Sequence, residues 1–63
     1  MLTAVYRVLD QLPAQVRIAW VMKHVEGERL ERVAEITGCS RATAHRRITR
    51  ARAALLEAFD DGE

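Results

Sequence analysis

Arg41, Arg46, Arg47, Arg50 and Arg52 fall within thirteen residues, 41–53, that contain no acid. A guanidinium is planar, permanently charged and forked, so it suits phosphate oxygens and the O6/N7 edge of guanine. Between these arginines stand Ala42, Thr43, His45 and Thr49. A small side chain lets backbone approach a groove, a hydroxyl bonds phosphate or touches a thymine methyl, and an imidazole gains charge as pH falls. This combination of types suggests binding of duplex nucleic acid. An arginine-rich face that is merely solvated is the alternative, and charge alone does not separate the two.

The elements around the block favour the first reading. Apolar residues recur at spacings of three and four with no strict alternation, so the chain reads as all-α. Four helices are expected, at about 2–11, 13–26, 30–37 and 41–59. The first puts Leu2, Val5, Tyr6 and Leu9 on one face. Pro13 sits in the first turn of the second, where its missing N–H costs nothing. That helix has Val16, Ala19, Trp20 and Lys23 or His24 at helical spacing, and Gly27 stops it. The third carries an inner stripe of Leu30, Val33, Ala34 and Thr37, closed by Gly38 in a left-handed conformation. Ser40 is positioned to cap the fourth, and that helix is alanine-rich.

A short helix, a Gly-Cys-Ser turn and a long helix form a helix-turn-helix signature, whose second helix enters the major groove. On a helical wheel Ala44, Ile48, Ala51 and Leu55 fall within about 60°. That stripe must face the other helices. Ala42, Arg46, Thr49 and Arg50 then point away from it, with Thr43 and Ala53 nearby and His45 on the flank.

Other chemistries find little support. Structural zinc needs four ligands at paired spacings, and Cys39, His24 and His45 do not supply them; no metal or cofactor is expected. Cys39 reads as a buried small hydrophobe, and Trp20 as core. No nucleophile–base arrangement can be assembled, so the chain is not expected to be an enzyme. The longest apolar run, Ile18 to Met22, is five residues, against the roughly 20 that span a bilayer. The start lacks the pattern of a secretory signal, and one cysteine in the chain excludes an internal disulfide. A cytoplasmic protein is expected, without membrane or small-molecule partners.

With 63 residues, the chain has room for one small domain. A domain of residues 1–59 and a frayed acidic tail, 60–63, are expected. The net charge of +1 conceals an uneven distribution: residues 1–40 are balanced, 41–53 carry +5, and 54–63 carry −4.

The stretch LPAQVRIAWVMKHVEGERLERVAEITGCSRATAHRRITRARAAL resembles region 4 of bacterial sigma-70-family factors, the promoter-binding helix-turn-helix domain. It looks closest to the extracytoplasmic-function (ECF) group. The likeness covers Leu9 to Phe59. Its landmarks are Leu12-Pro13, Val25-Glu26-Gly27, Val33-Ala34-Glu35, Gly38 with Ser40, and then Thr43, Arg47, Arg50, Ala51 and Arg52. The resemblance implies binding of double-stranded DNA at the −35 promoter element during transcription initiation. It further implies attachment to the RNA polymerase core through the β flap, and masking by an anti-sigma factor. Base-reading positions match His45, Arg46, Thr49 and Arg50. Backbone positions match Leu30, Glu31, Ser40, Arg41 and Thr43, and Arg47 in the basic block joins this set. Three residues depart from the relatives. Arg29 stands where a small polar cap is common, His45 where Lys or Arg is usual, and Arg46 where Ser is frequent. A complete sigma factor also needs a domain that melts the −10 region, so the chain is expected to be a fragment of one, with a stand-alone accessory as the alternative.

Two other functions fit the same residues. One is the helix-turn-helix output domain of another transcriptional regulator, which would normally dimerise. The other is an interaction module whose arginine face takes an acidic protein.

Overall fold

Helix boundaries in this chain are set by a few residues that cannot continue a helix or that satisfy its ends. The computed structural model describes residues 2–59, without the side chain of Leu2. Its elements are α1 (Leu2–Asp10), α2 (Ala14–His24), α3 (Leu30–Thr37) and α4 (Arg41–Phe59), an all-α order that matches the expected class. The place expected for Leu2 in the core, and the acidic tail 60–63, lie outside the described residues.

Three boundaries differ from expectation. α1 ends at Asp10, one residue early. α2 begins after Pro13 and ends at His24, inside the expected 13–26. Pro13 has φ −54° but ψ 146°, so it is the cap and not the first helical residue. Its carbonyl accepts the N–H groups of Val16 and Arg17, both at 3.0 Å, which starts the ladder. At the other end Gly27, at φ 75°, turns the chain so that the Glu28 N–H reaches Met22 O at 3.0 Å. Arg17 ties the α1–α2 turn, donating from Nη1 to Leu12 O at 3.3 Å.

Gly38 closes α3 as expected, at φ 71° and ψ 36°. The Cys39 N–H then donates to Ala34 O at 3.0 Å, giving the 6→1 bond of a Schellman end. Ser40 caps α4: its Oγ accepts the Thr43 N–H at 3.1 Å.

Packing forms two clusters joined by one residue. Ala19, Met22, Val33, Ala34, Ala44 and Ile48 bury between α2, α3 and α4. Leu9, Val16 and Ala51 bury between α1, α2 and α4. Trp20 is half-buried and packs on both, a core role as expected. Ala19, Ala44 and Ala51 are fully buried, so small residues set the close approach of α2 and α4. The expected stripe of α4 is thus the inner one: Ala44, Ile48 and Ala51 are buried and Leu55 is half-buried.

Elsewhere the buried face shifts. On α2 it runs Val16, Ala19, Met22, while Lys23 is half-buried and His24 exposed. α2 touches three helices, so its contact face rotates along its length. The His24 ring instead lies against Trp20, centroids 5.0 Å apart. Tyr6 is 38% exposed and flanks the α1 contact instead of filling it.

Candidate nucleic-acid interface

The apolar stripe of α4 fixes which side chains are left for solvent. With Ala44, Ile48 and Ala51 against α2 and α3, the exposed residues include Ala42, His45, Arg46, Thr49, Arg50 and Arg52. All four residues expected to read bases, His45, Arg46, Thr49 and Arg50, are therefore on open surface. Of the six expected at the DNA backbone, Glu31, Ser40 and Arg41 are exposed, and Leu30, Thr43 and Arg47 are half-buried.

Hydrogen bonds organise part of this surface. Arg46 Nη2 donates to Thr43 Oγ1 at 3.2 Å, and the Ser40 hydroxyl donates to the same oxygen at 3.1 Å. Arg41 Nε lies 3.8 Å from Glu31 Oε2, joining α4 to α3 across the turn. Arg32 pairs with Glu35 within α3 at 3.1 Å.

Cys39 is half-buried, not fully buried as expected. It packs on the α2–α3–α4 cluster, and its sulfur also meets polar groups. Thr37 Oγ1 stands 3.3 Å from Sγ, and Arg47 Nη1 donates toward it at 3.5 Å. The Thr37 hydroxyl also lies within hydrogen-bond distance of Val33 O, at 2.6 Å. Arg47 thus leans back over the turn, which explains its partial burial.

The start of α2 borders the same surface. Pro13, Gln15 and Val16 line a cleft with Thr43, Arg46, Arg47 and Arg50. Gln15 is exposed at this edge, and nothing in its spacing marked it, because α2 was legible only as a core helix. On the opposite flank Leu30, Arg41, Ala42 and His45 share a shallow depression. At the head of α3, Arg29 is the cap residue and makes no side-chain cap bond. The first N–H groups of α3 are left for another acceptor, the situation in which helix starts take phosphate.

The arrangement is one convex basic helix face flanked by two helix starts, a shape that fits a groove and its phosphates. The family described as Sigma-70, region 4, matches residues 2–55. The chain belongs to the sigma-70 region 4 family. In sigma factors generally, region 4 binds promoter DNA at the −35 element and works with RNA polymerase. Its match covers all four helices up to Leu55, so α3, the Gly38–Ser40 turn and α4 are the region 4 helix-turn-helix. No curated protein and no solved structure matches this region 4 chain. Among the described residues no helix is long and apolar enough to cross a membrane.

Proposed function

We propose that this chain recognises the −35 promoter element as region 4 of an extracytoplasmic-function sigma factor. The observation that carries the reading is the exposed arginine face of α4, acid-free over residues 41–53, directly after a capped helix-turn-helix bend, in a chain of this family. Arg46 and Arg50 read base edges, with His45 and Thr49 beside them. Arg41, Thr43, Ser40 and Arg47 meet phosphates around the start of α4, and Leu30 and Glu31 bring the head of α3 against the next phosphates.

No covalent chemistry is required, because recognition rests on charge, hydrogen bonding and shape. Each arginine that meets a phosphate releases condensed counterions, which supplies affinity independent of sequence. Bidentate contact with guanine supplies preference, about 1–3 kcal/mol for each good pair. One helix makes few such contacts. Attachment to polymerase through the β flap supplies the remaining affinity, and an anti-sigma factor covering the domain withdraws it. The domain works as a monomer within the cytoplasm.

Selection of duplexes from a randomised pool tests this reading. Enrichment of one short non-palindromic motif is the expected result. A palindrome with two half-sites would indicate a dimeric regulator, and no enrichment with tight binding of acidic protein would indicate an interaction module.

A further inference from the structure

Three side chains at the start of α4 form one hydrogen-bonded chain. The Thr43 N–H donates to Ser40 Oγ at 3.1 Å, the Ser40 hydroxyl donates to Thr43 Oγ1 at 3.1 Å, and Arg46 Nη2 donates to that same Thr43 oxygen at 3.2 Å. A hydroxyl has two lone pairs and one proton. Both Thr43 lone pairs are engaged inside the chain, one by the cap and one by the arginine, which leaves the Thr43 O–H proton as the remaining donor. Thr43 is half-buried and β-branched, so its χ1 is restricted, whereas Arg46 is exposed and long. A flexible exposed arginine must otherwise lose rotamer freedom when it meets a base. Arg50, on the same face, has no side-chain hydrogen bond of this kind among the described residues.

We propose that Thr43 is a positioning residue for base recognition: it holds Arg46 in a reading pose, and a DNA phosphate that accepts the Thr43 O–H proton tightens that hold. The inference rests on the −35 reading above and deepens it. When a hydroxyl donates to an anion, its oxygen becomes a better acceptor, because hydrogen bonds in a chain polarise one another. Docking of the phosphate therefore strengthens the Arg46 bond. Contact with the backbone and reading of a base are coupled through one oxygen atom.

The test compares two duplexes, one enriched by the wild-type chain from a randomised pool and a scrambled duplex of the same composition. Dissociation constants are read by fluorescence anisotropy, and their ratio is the quantity of interest. Thr43→Val keeps the shape and β-branching but removes both hydroxyl roles. It should lower the ratio about five-fold, the scale of one modest hydrogen bond. Thr43→Ser should keep the wild-type ratio. In an Arg46→Ala background Thr43→Val should leave the ratio where Arg46→Ala put it, whereas in an Arg50→Ala background it should still lower it. Thr43→Ala gives the same comparison if the valine reduces helicity. Equal weakening of both duplexes by Thr43→Val would reduce Thr43 to a phosphate contact and overturn the proposal. An Arg46→Ala variant with an unchanged ratio would instead overturn the base-reading role of Arg46, a distinguishable failure of the underlying reading.

Discussion

Arg41 Nε stands 3.8 Å from Glu31 Oε2, so the first residue of α4 faces the second residue of α3 across the Gly38–Ser40 turn. Both side chains are about two-thirds exposed, at 65% and 63%. An ion pair this open contributes well under ~1 kcal/mol to stability. Its larger effect is on charge at the surface proposed to meet phosphates, where Glu31 partly neutralises Arg41. Glu31→Gln should strengthen binding to any duplex about two- to five-fold at low salt, with a melting temperature close to wild type. Anisotropy with a random-sequence duplex reads the effect. Weaker binding would mean that the carboxylate orients Arg41 instead of screening it.

The arginines of α4 should separate into two kinds. Arg46→Ala and Arg50→Ala are expected to cost about 1–3 kcal/mol on a selected duplex and to relax its sequence preference. Arg41→Ala should weaken selected and scrambled duplexes alike, reducing the salt slope by about 1. Competition assays with single-base variants of the selected duplex distinguish these outcomes. Identical behaviour of all three would remove base reading from the description.

His45 is exposed and shares a depression with Leu30, Arg41 and Ala42. A permanent cation at this position adds one more contact with the phosphates. His45→Lys should tighten binding to selected and scrambled duplexes and steepen the salt slope by about 1. Anisotropy titrations at several salt concentrations read the effect. An unchanged slope would place position 45 away from the phosphates.

Gly38 orients the whole reading unit. Its φ of 71° is in the left-handed region, while an added Cβ would meet nothing within 4 Å. The cost of Gly38→Ala is thus conformational and not steric, on the order of 1 kcal/mol. Thermal denaturation followed by circular dichroism should show a lowered midpoint with unchanged helicity at low temperature. An unchanged midpoint would mean that the turn relaxes freely.

The reading unit was legible because its punctuation is local. Gly38 ends α3 and Ser40 caps α4 through their own backbone and side-chain geometry, and the Ala44–Ile48–Ala51 stripe follows from helical spacing alone. α2 was less legible, since a helix touching three neighbours buries a face that turns along its length. Met22 is inside and His24 outside for that reason. Pro13 has a φ that fits a helix, and only its ψ shows that it caps one. The bonds Arg46–Thr43 and Arg47–Cys39 depend on rotamers chosen in the folded surface, which residue spacing does not encode. Charge needed a local view as well: a net +1 hides five arginines on one helix.

The salt dependence of binding to duplex DNA tests the central claim most directly. If the exposed face of α4 and the adjoining helix starts meet five or six phosphates, log K should fall linearly with log salt at a slope of roughly −5. A slope near zero, or tighter binding to an acidic polypeptide than to DNA at matched salt, would contradict it.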